Sequence, residues 1–216
     1  MHKIIFVILG LMSCFHNSII SQTNFDHSTF DSLLKKYVDQ TGMVNYPAFK
    51  NNEEFKDYIS AISSADITNL SKNDKLAFYI NAYNATVIKN VLDHWPIKSP
   101  LEVDGFFNRI KHKVAGTEMT LDELEHKYTL TIEPVLSHFG LVCGAKSCPK
   151  LIAKAYDGKS VIVQLNENAI PEAFEEKYGS LKNTAINFMN EEDKLFLEDN
   201  EVEIKFIKYN WQLNVQ

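Results

Sequence analysis

The stretch from Ser71 to Leu92 constrains this chain more than any other. Ser71-Lys72-Asn73-Asp74 reads as a capping box that opens a helix, and Trp95-Pro96 forces it to end. Between those signals, Leu76, Ala77, Phe78, Tyr79, Ile80, Ala82, Tyr83, Ala85, Val87, Ile88, Val91 and Leu92 leave almost no polar side. A helix that is apolar around most of its circumference must be covered by other elements, which places it at the centre of a domain. The chain has the material to cover it, with 216 residues, 45% of them hydrophobic and 12% aromatic. That composition excludes a disordered, collagen-like or coiled-coil protein.

Flanking segments supply the cover. Ser28-Thr29-Phe30-Asp31 predicts a second capping box, followed by a helix with Phe30, Leu33, Leu34, Tyr37 and Val38 on one face, ending before Gly42. Met43 to Tyr46 reads as a short extended piece stopped by Pro47, and a helix follows from Asn52 to Ser63. Ile110 to Val114 and Glu118 to Thr120 form a hairpin across Ala115-Gly116. Thr120 with Glu123 caps a helix running to about Leu130, His138 to Cys143 is strand-like, and Gly144 to Pro149 is a loop. Gln164 to Lys177 reads as helical, while Lys194 to Leu197 and Val202 to Ile207 alternate as strands. No repeat or long linker divides the chain, so the expectation over residues 22–216 is one α+β domain.

The N-terminus carries a different message. Behind Lys3, the apolar run Ile4 to Leu11 leads to Ser21 and Gln22 with no acidic residue before Asp26, the pattern of a secretory signal over residues 1–21. Leu11-Met12-Ser13-Cys14 also resembles a lipobox, whose cleavage before Cys14 would leave a lipid-anchored cysteine. The protein is therefore expected outside the cytoplasm, periplasmic or extracellular, touching a membrane only through an anchor at Cys14. Removing residues 1–21 takes away Lys3 and leaves 21 basic against 28 acidic residues. That acidic balance argues against a nucleic-acid partner, since phosphate binding needs a basic face.

Phe78-Tyr79-Ile80-Asn81-Ala82-Tyr83-Asn84-Ala85 and His138-Phe139-Gly140-Leu141-Val142-Cys143-Gly144-Ala145-Lys146-Ser147-Cys148-Pro149 together resemble the family called Domain of Unknown Function 547. Supporting pieces are Gly42-Met43-Val44-Asn45-Tyr46, the run Met119 to His126, and Ala155-Tyr156, so the resemblance extends from Phe30 to Phe206. It implies a fold and a site around these motifs, without a reaction.

The motif residues have their own chemistry. Asn81 and Asn84, three apart on the central helix, project to the same side and are buried together. A buried amide left unpaired costs about 1 to 3 kcal/mol, so each either fixes a neighbouring loop or floors a polar pocket that binds substrate. Cys143 and Cys148 allow two readings. An exported domain can close a disulfide between them. Alternatively, Cys143 is a nucleophile whose thiol pKa is lowered by free amides at Gly144-Ala145, with His126 or His138 as base. The resemblance makes Cys143 the reactive member of the pair. On a regular strand His138 would face away from Cys143, which leaves His126 as the alternative. Glu125 points inward on its helix and needs a partner, Arg109 or a lysine, unless it acts in acid-base chemistry. The His138, Cys143 and Cys148 trio lacks the four ligands and close spacing of a structural zinc site, and no nucleotide or phosphate motif occurs, so neither metal nor cofactor is expected. Two functions follow: a cysteine hydrolase or acyltransferase acting on an amide or related acyl bond, or a noncatalytic module that binds a small molecule or peptide through a disulfide-held loop.

Overall fold

The long apolar helix becomes the axis of the fold in a computed structural model, which describes residues 24–169 and 209–216. Three helices precede it: α1 (Ser28–Tyr37), α2 (Tyr46–Lys50) and α3 (Glu53–Ser64). The axis is α4 (Lys72–Asp93), whose side chains are buried almost continuously from Leu76 to Val91. Ser71 caps it by accepting from the Asp74 amide at 3.1 Å. Helices α2 and α3 pack along it, Phe30 of α1 stacks on Tyr58 of α3 with ring centroids 4.9 Å apart, and Phe25 meets Phe78 edge-on at 5.0 Å.

The small β component is the expected hairpin, β1 (His112–Val114) and β2 (Thr117–Met119), paired antiparallel. Its turn places Ala115 and Gly116 at φ +46° and +78°, the two left-handed positions that suit a tight hairpin. The turn amides also do work at a distance: Ala115 N donates to Ile62 O at 2.9 Å and Gly116 N to Ser63 O at 2.8 Å. The hairpin tip thereby satisfies carbonyls that the end of α3 leaves without helical partners. The fold is α+β, one compact unit with a small sheet.

After β2, the Thr120–Glu123 capping box is present in both directions and opens α5 (Leu121–Glu123), which continues as a wide π-helix over Leu124–Thr129. A 3₁₀ turn follows at Leu136–Phe139, and α6 covers Val161–Ala169. Among the described residues no helix is long and apolar enough to cross a membrane.

Several local expectations are corrected. Ser28 is the first residue of α1 and not its cap, because the Asp26 carboxylate accepts from the Ser28 amide at 2.8 Å; Asp31 instead pairs with Lys35 and accepts from Ala155 N at 3.0 Å. The extended piece from Met43 is present, with Val44 bridging Val38 and Val215, but it ends at the Asn45 cap, and Pro47 sits in the first turn of α2, where a missing N–H costs nothing. His138 to Cys143 is not a strand. Ser137 O captures the amides of Gly140 and Leu141, at 2.9 and 3.1 Å, and winds the chain into the 3₁₀ turn. The helix expected from Gln164 begins earlier, at Val161. Its continuation to Lys177 and the strands at Lys194–Leu197 and Val202–Ile207 lie outside the described residues.

Candidate functional site

The site is built on the polar minority of α4. Asn81 and Asn84 are 1% and 3% exposed, and each uses both ends of its amide on backbone. Asn81 donates to Tyr156 O at 2.8 Å and accepts from Tyr156 N at 2.9 Å. Asn84 donates to Gly140 O at 2.8 Å and accepts from Val142 N at 2.9 Å. A side-chain amide here stands in for a peptide group, and α4 binds two irregular segments much as a neighbouring strand would. Gln164 of α6 repeats the device on the same segment, accepting from Asp157 N at 2.9 Å and donating to Ala155 O at 3.0 Å. These clamps fix both flanks of the cysteine loop.

Within the loop, Cys143 and Cys148 are joined by a disulfide. Cys148 N donates to Ala145 O at 3.0 Å, and Cys143 N points at the Cys148 sulfur at 2.9 Å, so the ring is braced from inside. Outside it lies an extended strap, residues 209–216. Lys146 N donates to Gln212 O at 2.8 Å, Ser147 N to Asn210 O at 3.2 Å, Asn210 N to Ser147 Oγ at 2.8 Å and Asn214 N to Gly144 O at 2.9 Å. The Tyr209 hydroxyl sits 3.2 Å from both sulfurs. Beside it, Trp211 packs on Tyr209 with centroids 4.7 Å apart and on Phe107 at 6.4 Å. Tyr209 and Trp211 are each 37% exposed, and among the described residues they belong to a short set of large apolar side chains that face solvent.

Below this surface the buried Tyr83 hydroxyl faces Glu125. Burial, and then the Glu125 carboxylate within hydrogen-bonding reach, hold the phenol well above its usual pKa. Glu125 is thus partly buried with Tyr83 as its partner, and not paired with Arg109, which instead binds Asp104 at 2.5 Å. The two histidines are not drawn to the sulfur. His126 is exposed and donates from Nδ1 to Asp122 O at 3.0 Å, and His138 is exposed on the 3₁₀ turn. The hydroxyl placed against Cys143 is a phenol. Both sulfurs are committed to each other, so this form presents neither a thiolate nor the His138, Cys143 and Cys148 ligand set. A cavity of about 670 Å³ between the start of α1 and α3, lined by Asp26, Asp57 and Tyr58 among others, contains none of these residues.

Sequence reasoning overlooked the strap, Tyr83 and Gln164. A signal for the strap existed: Trp211, Leu213 and Val215 alternate with Gln212 and Asn214, the period of an extended segment. Tyr83 was masked by lying in an apolar helix where a tyrosine reads as core.

None of the curated proteins and none of the solved structures compared with this chain matches it. A family model does match, over a narrower span than Phe30 to Phe206. Residues 67–171, which carry α4, both asparagine clamps and the disulfide loop, match the model of the family described as protein of unknown function, DUF547.

Proposed function

We propose that this protein is a noncatalytic, extracytoplasmic binding module that takes a small-molecule or peptide ligand on the face shared by the cysteine loop and the strap. The observation that carries this reading is the commitment of the motif's reactive groups to structure. The two cysteines form one bond, and the amides of Asn81 and Asn84 hold backbone at both ends. What faces solvent over this scaffold is Tyr209 and Trp211, large amphipathic rings of the kind that anchor recognition surfaces. The disulfide and the signal-like N-terminus support an oxidising compartment. N-terminal analysis of protein from its native host should find a start near residue 22, or a lipid on Cys14; an intact Met1 in the cytoplasmic fraction overturns export.

The competing function, a hydrolase or acyltransferase in which Cys143 attacks an acyl carbon, requires a free thiolate and a base beside it. Iodoacetamide separates the two. On the folded, unreduced protein no label should enter Cys143 or Cys148, and a Cys148→Ser variant should expose an ordinary thiol at Cys143. Labelling of Cys143 well below about pH 8.5 without reductant, with a profile that moves when His126 or His138 is replaced, overturns the binding module in favour of the enzyme.

A further inference from the structure

The strap is held by two sets of partners that differ in kind. Its inner half rests on parts of the fold remote from the cysteines: Leu213 N donates to Lys98 O at 2.8 Å, Val44 N to Asn214 O at 2.8 Å, Gln216 N to Val44 O at 3.1 Å, and Tyr46 OH to Asn214 Oδ1 at 2.6 Å. Leu213 and Asn214 are 2% and 5% exposed. The outer half, Tyr209 to Gln212, has a different support. Its backbone bonds run to Lys146 and Ser147, residues inside the disulfide ring, and its tyrosine hydroxyl touches both sulfurs. Asn214 N on Gly144 O is the junction between the halves.

We infer that the Cys143–Cys148 bond is a redox-responsive clasp that sets the position of the outer strap, and with it Tyr209 and Trp211, while leaving the inner strap and the core in place. The ring confines Gly144 to Ser147, and the outer bonds depend on that confinement, because opening the ring returns backbone freedom to the residues that make them. Asn81 and Asn84 grip the flanks at Tyr156, Gly140 and Val142, outside the ring, so they do not hold residues 144–147 when the bond is broken. The opening step needs a dithiol. One of its thiolates attacks a ring sulfur to give a mixed disulfide, its second thiol displaces the protein thiolate, and two electrons and two protons pass to Cys143 and Cys148 as the reagent closes its own disulfide. That Tyr209 and Trp211 form the recognition face rests on the function proposed above; the clasp itself does not.

Residue-resolved amide exchange on the full chain tests it without any ligand. Oxidised protein and protein reduced with millimolar dithiothreitol are compared, with mass mapping of alkylated Cys143 and Cys148 as proof of reduction. Protection of the Lys146, Ser147 and Asn210 amides should fall about tenfold or more on reduction, while the Val44, Leu213 and Gln216 amides keep theirs within about twofold. A Cys143→Ser, Cys148→Ser variant should match the reduced protein; if it does not fold, the reduced natural chain is the deciding sample. Unchanged protection at Lys146 and Asn210 in fully reduced protein overturns the clasp. So does equal loss at Val44 and Gln216, which would make the strap one unit, and so does a bond that millimolar dithiothreitol does not reduce in the folded state. Because exchange reads the strap directly, these outcomes stand apart from the alkylation result that decides between module and enzyme.

Discussion

Replacing Asn84 by Leu tests the central construction of the fold. Leucine shares the branched outline of asparagine, though its methyl groups are bulkier, and it can neither donate to Gly140 O nor accept from Val142 N, the two bonds now made at 2.8 and 2.9 Å. Asn84 is 3% exposed, so water does not replace the lost partners. Each orphaned backbone group costs about 1 to 3 kcal/mol, and the pair therefore about 2 to 6 kcal/mol. That is a large share of the roughly 5 to 15 kcal/mol that holds a typical domain. In urea, with a slope of about 2 kcal/mol per molar, the midpoint should fall by about 1 to 3 M without a change in slope. Asn84→Asp should fare no better: it keeps an acceptor for Val142 but sets a carboxylate oxygen against the Gly140 carbonyl. The companion measurement is exchange at the Val142 amide, which should lose protection before the rest of the core. A midpoint shift under about 0.5 M with Val142 still protected would show that the clamp contributes nothing and that the flank is held some other way.

Two further outcomes follow from groups elsewhere in the fold. Burial lowers the pKa of His27 from its ordinary 6.5 to about 4, despite Asp26, Asp157 and Asp74 nearby, so its ring is neutral in the native protein with Nδ1 at 2.7 Å from Tyr58 OH. The unfolded chain then binds the extra proton between those values, and stability should drop as pH falls from 6.5 towards 4, by about 3 kcal/mol in all; His27→Gln should flatten that part of the pH–stability curve in urea titrations. Gly42→Ala should lower the melting temperature, because φ is +82° there and an added Cβ would lie 2.9 Å from the Leu151 amide nitrogen; an unchanged melting curve would refute both the backbone strain and the close approach.

What was legible in the chain was local or periodic. The apolar circumference of α4, the Thr120–Glu123 capping box and the Ala115-Gly116 turn depend on residues a few positions apart, and all three are present as read. The burial of Asn81 and Asn84 was legible from their spacing, but their partners were not, because Tyr156, Gly140 and Val142 lie 56 to 75 residues away. Short-range competition misled the reading at two places. His27 takes the cap position assigned to Ser28, with the Asp26 carboxylate holding the Ser28 amide, and the Ser137 carbonyl bent an apolar run that pattern alone presented as a strand. Glu125 was recognised as inward-facing, yet its partner is the Tyr83 phenol and not a cation, since neutral buried hydroxyls leave no mark in a charge pattern. For the cysteines, both the disulfide and the nucleophile were compatible with spacing, and only the placed sulfurs distinguish them.

The inner strap has a consequence for the order in which the fold assembles. Tyr46 OH meets the Asn214 side chain across 168 positions of chain, and Val44 takes its backbone partner from the same residue. Closing a loop of that length carries a larger entropic cost than the pairings of α1 to α4, which join neighbours in sequence. During synthesis the helices α1 to α4 can pack long before residue 214 has been made, but the Val44 amide and Tyr46 hydroxyl must wait for it, exposed to solvent at the seam. The last-made described residues thus complete the first-made part of the domain, and the nascent chain carries an open polar seam until they arrive.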